Sequence, residues 1–228
     1  MDQEIIRFLE RDELRCVAAR EMYKQEGAKV LAFTGRALLM ETRGIHALSA
    51  DSGEEALRAC EQIEAMPLLM CDCAAAVPLL KSRYGFQKGH ACYNVVYKKK
   101  EPVKVREDAR LALIGQEDAE RVVESYKLEP PELVRRQIKE GALLGGYVQD
   151  EWVGYIGIHD EGSIGMLYIF PSARRRGLGF TLEGMMINRR LEQGRLPWAQ
   201  IITDNHASLA LQKKLGMVRS KDTVVWLS

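Results

Sequence analysis

The chain has 228 residues, 46% hydrophobic and 29% charged, with a formal net charge of +1. This is a globular composition, long enough for one large core or two modest ones, and its near-neutrality removes any global argument for nucleic-acid binding. Met1 is followed by Asp2 and Glu4 rather than by a basic and then an apolar stretch, and no apolar run reaches membrane-spanning length, so a cytoplasmic protein with no membrane partner is expected.

Apolar residues Ile5, Ile6, Leu9, Leu14, Val17 and Ala18 recur at helical spacing, with a break near Asp12. Lys29 to Ala50 predicts strands joined by turns at Gly35 and Gly44. Ser52 caps the next helix, and Glu55 three residues on completes a capping box. A short buried strand follows at PLLMCD, then a helix stopped by Gly85, then the strand ACYNVVYK. The five cysteines, Cys16, Cys60, Cys71, Cys73 and Cys92, fit no disulfide framework and read as reduced small hydrophobes. The charged stretch Tyr97 to Asp108, which contains Pro102, places a domain boundary near Glu101, giving units 1–100 and 101–228.

The second half starts with the strand ARLALIG and two helices, the second with Pro131 near its start and Gly141 at its end. Three consecutive strands follow, ALLGGYVQ, EWVGYIGI and SIGMLYIF, joined by turns at Asp150 and at HDEG. Acidic Glu129 and Glu132 in YKLEPPEL would suit a cationic amine, but they read first as a solvated loop. After Pro171 comes a helix with Leu178, Leu182, Met185, Met186 and Arg189 on one face and Gly194 as its stop. The strand WAQIIT, a helix ending at Gly216 and the strand TVVWL complete the chain. LLKSRYGFQK, at Leu79 to Lys88, parallels ALQKKLGMVR, at Ala210 to Arg219, and the strands on either side agree, which predicts a tandem architecture.

The segment ARRRGLGF sets Arg174, Arg175 and Arg176 before Gly177, Leu178, Gly179 and Phe180 at a helix start. Unpaired N–H groups, the helix dipole, glycine and three guanidinium groups together make a phosphate site. The dinucleotide fingerprint and the nucleotide P-loop are both absent.

YIFPSARRRGLG resembles the acyl-CoA-binding signature of the GNAT N-acetyltransferase superfamily, [QR]-x-x-G-x-[GA], through Arg174, Gly177 and Gly179. A second motif of that superfamily is matched by Asn205, Ser208, Lys214, Leu215 and Gly216. The strong resemblance covers Ala109 to Ser228; the first half resembles a degenerate copy of the same fold without an anion turn, an arrangement similar to the glycine N-acyltransferase-like branch. The resemblance implies an α/β (α+β) fold in tandem, with a mixed, mostly antiparallel central sheet flanked by helices. It further implies acetyl-CoA as co-substrate, no metal, a small-molecule amine or amino acid as acceptor, and room for a homodimer.

By the same resemblance, the cofactor is held by Leu167 and Ile169 on the strand edge, the Arg174 to Phe180 turn, and Asn205, Ser208 and Lys214, with an oxyanion donor near Ile169. An ammonium group must lose a proton before it attacks, which calls for a base. Glu161 is the first candidate; His159 and Tyr168 compete with it, and a polar hairpin turn alone would also account for HDEG. Where the family often carries a thiolate-protonating tyrosine this chain has Gln212, so Tyr168 or water stands in. The principal reading is an acyl-CoA-dependent N-acyltransferase. The rivals are a non-catalytic acyl-CoA-binding or interaction module and, against the charge balance, a nucleic-acid binder.

Overall fold

The computed structural model describes residues 2–228. Two short helices, α1 (Asp2–Glu10) and α2 (Val17–Tyr23), lead into strands β1 (Lys29–Phe33), β2 (Ala37–Thr42) and β3 (Ile45–Ala50). Then come α3 (Gly53–Ala59), β4 (Leu69–Cys71), α4 (Val77–Tyr84) and β5 (Gly89–Val96). The second half repeats the plan after one extra strand, β6 (Ala109–Leu113). Its elements are α5 (Ala119–Ser125), α6 (Pro131–Lys139), β7 (Leu143–Val148), β8 (Glu151–Ile158), β9 (Ile164–Ile169), α7 (Leu178–Glu192), β10 (Trp198–Ile202), α8 (His206–Leu215) and β11 (Val218–Leu227).

All eleven strands join one sheet in the order β1-β2-β3-β4-β11-β5-β10-β9-β8-β7-β6. Only β3–β4 and β9–β10 pair in parallel, so the sheet is mixed and mostly antiparallel. The last strand of each half has crossed over: β11 lies between β4 and β5, and β5 lies between β11 and β10. Helices α1, α2, α5 and α6 cover one face, around clusters that include Met40, Met70, Cys92 and Trp198 at one end and Val134, Tyr155 and Met166 at the other. Helices α3, α4, α7 and α8 cover the opposite face, around Leu48, Leu69 and Leu80 at one end and Ile156, Leu182 and Ile201 at the other.

The echo between the halves is visible as geometry. Gly85 ends α4 at φ 72° and Gly216 ends α8 at φ 79°, both in the left-handed conformation that glycine adopts without a steric penalty. Each then launches one of the two exchanged strands. A partly buried polar chain ties them to their neighbours: Trp226 on β11 donates to Gln200 on β10 at 2.6 Å, and Gln200 donates to Asn94 on β5 at 3.0 Å. Asn94 also donates to the carbonyls of Leu14 and Arg15 at 2.9 and 3.1 Å, just ahead of α2. Ser220, at an irregularity in β11, accepts from the Asn94 backbone at 3.1 Å.

Two local expectations are corrected. Ser52 does accept from the Glu55 N–H at 3.2 Å, but the Glu55 side chain accepts from Thr34 at 2.9 Å instead of completing a capping box. Arg189 is exposed, and the buried face of α7 carries Leu178, Leu182, Glu183, Met186 and Ile187. The cysteines are buried and free, as the spacing suggested. No described helix is long and apolar enough to cross a membrane.

Asn94 carries the polar connection between β5, β10 and the start of α2, so Asn94→Ala strands two carbonyls and one amide. We expect a loss of about 3 kcal/mol in urea unfolding, since each buried group left unpaired costs about 1–3 kcal/mol. A loss below about 0.5 kcal/mol would show that the exchange does not depend on this network.

Candidate active site

Strand β9 ends at Phe170, and residues Pro171–Ala173 form one 3-10 turn. The chain then needs two left-handed positions to enter α7, Arg175 at φ 63° and Gly177 at φ 74°. Among the described residues no side chain caps α7, so its first-turn N–H groups are free to face a ligand. A Cβ built on Gly177 would meet nothing within 4 Å, which places this backbone against open space.

Beside this turn is a cleft of about 420 Å³ between the start of α7, the end of β9 and one side of α8. Of the residues expected from sequence, Ile169, Arg174, Arg175, Gly177, Leu178, Gly179, Phe180 and Lys214 line it. Ala173, Ala207, Ala210 and Leu211 also line it, and sequence reading missed them because small apolar residues carry no chemical signature. Leu167, Arg176, Asn205 and Ser208 do not line it. Asn205 instead caps α8, accepting from the Ser208 N–H at 3.0 Å.

The three arginines are not equivalent. Arg176 reaches Glu151 on β8 at 3.1 Å, so part of the expected negative partner is supplied by the protein itself. Arg174 donates to the Ile169 carbonyl at 3.0 Å and lies over the Tyr168 ring at 5.4 Å. Arg175 and, across the cleft, Lys214 have no hydrogen bond or ion pair among the described residues. These two cations are available to an anion.

Strands β9 and β10 pair only through Ile164 and Ala199, then part. The β9 backbone beyond Ile164 is therefore unpaired on its β10 side. Strand β9 also carries a bulge at Met166, whose φ is 52°. Gly157 on β8 makes room for it, since a Cβ there would lie 2.6 Å from the Met166 Cε. The corresponding place in the first half is closed. Strands β3 and β4 pair at three positions, Asp72 accepts from Arg15, Ser49 and the Ala50 N–H, and a Cβ on Gly53 at the start of α3 would lie 3.0 Å from Leu79.

On the other face of the sheet, Glu161 is 4% exposed and accepts from the Ser163 hydroxyl. Burial raises its carboxyl above the ordinary value, opposed by His159 and Ser163. Glu129 is not in a solvated loop: its Oε1 lies 2.8 Å from His159 Nδ1, with only 17% of its side chain exposed. Tyr168 is half-buried and stacks on Tyr155 at 5.3 Å.

Gln212 turns inward and donates to Glu183 on α7 at 2.7 Å. Sequence periodicity hid Glu183, a carboxyl on the buried face of an otherwise apolar helix. Burial, offset in part by the Gln212 bond, pushes its pKa up to about 7. A carboxyl raised from 4.5 to about 7 on folding contributes its full stability below pH 4.5 and loses it as pH rises through about 7. Glu183→Gln should therefore be more stable than the parent by roughly 3 kcal/mol at pH 8, with the difference vanishing near pH 4. Thermal or urea unfolding at both pH values checks this; equal stability at pH 8 would contradict it.

Residues 144–227 match the FR47-like protein family. A search of curated protein sequences gives no match. Among solved structures, a Drosophila protein is 22% identical with a TM-score of 0.64, over 84% of this chain and 74% of its own. A GCN5-related N-acetyltransferase from Kribbella flavida is 13% identical with a TM-score of 0.57, over 95% of each chain. A GCN5-related N-acetyltransferase-like protein from Streptococcus suis is 16% identical with a TM-score of 0.54, over 99% of this chain and 98% of its own. At these identities the structural likeness speaks to fold alone: residues 144–227 are similar to the FR47-like family, and the chain has the fold of the GCN5-related N-acetyltransferases.

Proposed function

We propose that this chain transfers an acyl group, acetyl in the simplest case, from acyl-CoA to a primary amine of a small molecule or amino acid. One observation carries the reading: the unpaired strand edge left where β9 and β10 part runs into the same cleft as the arginine–glycine turn. Phosphates suit the α7 N-terminus with Arg175 and Lys214, and an extended pantetheine arm suits the open edge of β9, which it would join as an added strand. A β9 backbone N–H on that edge would stabilise the oxyanion formed at the thioester carbon. Glu161 sits at the acceptor end of β9, on the face opposite the cleft, where a carboxylate favours an approaching ammonium group. Tyr168, the phenol on β9, is the proposed donor to the departing thiolate. Residues 1–100 and 101–228 are proposed as two units of one duplicated design, with only the second keeping a cofactor site.

A second reading, an acyl-CoA-binding module without turnover, draws on the inward turn of Gln212, which leaves its position without a proton donor.

Gly177→Val tests cofactor binding. Valine at φ 74° is strained and fills space where a phosphate must approach, yet nothing in the fold abuts it. Calorimetry should show CoA binding lost with the unfolding transition still cooperative. Arg175→Ala should weaken CoA roughly 10-fold or more, as expected for one charge-assisted bond, and Arg176→Ala less, because Arg176 already has Glu151. Parent-like CoA affinity in Gly177→Val would remove the anion-turn reading.

A further inference from the structure

The turn between β8 and β9 holds a pair that neither the motifs nor the family match assigns. His159 Nδ1 lies 2.8 Å from Glu129 Oε1. The other ring nitrogen, Nε2, lies against Gly165 on β9, where a Cβ would collide with it; glycine at 165 is what lets the ring lie there. Gly165 immediately precedes the bulge at Met166 and the stretch of β9 that has no partner on its β10 side.

The two ends of β9 are thus differently equipped. Ile169 belongs to the cleft with the arginine turn. Three residues back, about 10 Å at strand spacing, the bulge and the His159 ring mark the other end. A ligand anchored by its phosphates and extended along the open edge brings its far end to this ring. The parting of β9 from β10 begins beside Gly165, next to the His159 ring.

We propose that His159, oriented by Glu129, takes the proton from the acceptor amine. This rests on the acyl-transfer reading above. Glu129 accepts from Nδ1–H and leaves Nε2 as the base. Nε2 takes the extra proton of the bound ammonium group, and the freed nitrogen lone pair forms the bond to the thioester carbon. The carbon–sulfur bond then breaks with its electron pair on sulfur, the thiolate takes the proton that the new amide nitrogen sheds, and His159 returns its own to solvent. His159 is better placed than Glu161 for this exchange, with 24% of its side chain exposed against 4% for the whole of Glu161, whose Oε1 is already held by Ser163.

The surrounding charges tune the ring. Glu129 faces it from the segment joining α5 to α6, with Tyr126 close to Glu129 and Glu161, and Asp160 and Glu161 come from its own turn. Asp160 is held by Arg136 of α6 and by Arg43 of the β2–β3 turn, the latter at 3.5 Å. Cys92 of β5 faces Glu161. Burial disfavours the charged ring, but the Glu129 bond and the carboxylates of Glu161 and Asp160 outweigh it and raise the imidazole above its ordinary value. Activity should then rise with pH through a limb above 6.5, because the base must be neutral.

The experiment uses the full chain, acetyl-CoA, and n-propylamine or hydroxylamine as acceptor, with thiol release followed from pH 5 to 9 and CoA affinity measured alongside. Hydroxylamine is largely unprotonated near neutrality and needs little help from a base. His159→Gln should lose roughly 100-fold or more in turnover with n-propylamine, lose the plateau above the limb so that the rate keeps climbing to pH 9 with the free amine, and lose far less with hydroxylamine. Glu129→Gln should keep the limb but move it to lower pH, and imidazole resonances should show His159 titrating at lower pH in that variant. CoA affinity should stay within about threefold of the parent in both. If Glu161→Gln removes the plateau and His159→Gln keeps it, or if His159 titrates unchanged in Glu129→Gln, the proposal is overturned. Failure of the parent to bind CoA, or to release thiol with either acceptor, overturns the acyl-transfer reading and this inference with it.

Discussion

Strand β5 is held between β10 and β11, and the remaining architecture is built around that placement. Neither half completes its own sheet, because each gives its final strand to the centre. The core is consequently shared: Cys92 and Val96 of β5, Trp198 of β10 and Val224 of β11 all pack beneath α1 and α2. The linker from Tyr97 to Asp108 marks a change of repeat, while the hydrogen-bonded sheet runs through without a seam. The first half has a structural role in this arrangement. It supplies the strand against which β10 is held, and β10 in turn is the strand from which β9 parts.

That parting converts a packing problem into a site. Parallel neighbours normally share a ladder, and here the ladder stops after Ile164 and Ala199. The unpaired backbone needs a partner, and an extended amide-bearing arm is chemically suited to be one. In the first half the same position has β3 and β4 paired at three positions and Asp72 gathering the nearby donors, which leaves nothing to offer a ligand. The chain thus holds one open and one sealed version of a similar strand junction. Charge is apportioned with similar economy. Glu151 holds Arg176, Ile169 holds Arg174, and Arg175 with Lys214 faces the cleft.

Local signals in the sequence carried far. The left-handed glycines at 85, 177 and 216 were legible because a glycine set at the start or end of an apolar helix marks a backbone turn that other residues enter only with strain. Alternating apolar residues marked the strands, and Ser52 and Pro131 marked helix starts. What alternation cannot encode is the partner of a strand, so the exchange of β5 and β11 was invisible although the repeat that produces it was not. The same limit hid both buried acid pairs. Glu129 looked like a loop residue because the imidazole that turns it inward lies 30 positions away in another element. Glu183 gave no signal of its own, because the Gln212 side chain that bonds it belongs to another helix, α8. Gln212 was singled out as a departure from a family pattern; its partner, which accounts for where the side chain goes, was not.

A cleft that serves chemistry, and not binding alone, must turn over. Free thiol release from acetyl-CoA, followed with the full chain across a panel of amino acids, polyamines and aminoglycosides, distinguishes the two. We expect release that depends on the amine, saturates with both substrates and yields one acylated amine per thiol. Saturable CoA binding with no amine-dependent release across the panel would contradict the acyl-transfer reading and leave the fold serving as a CoA-binding module.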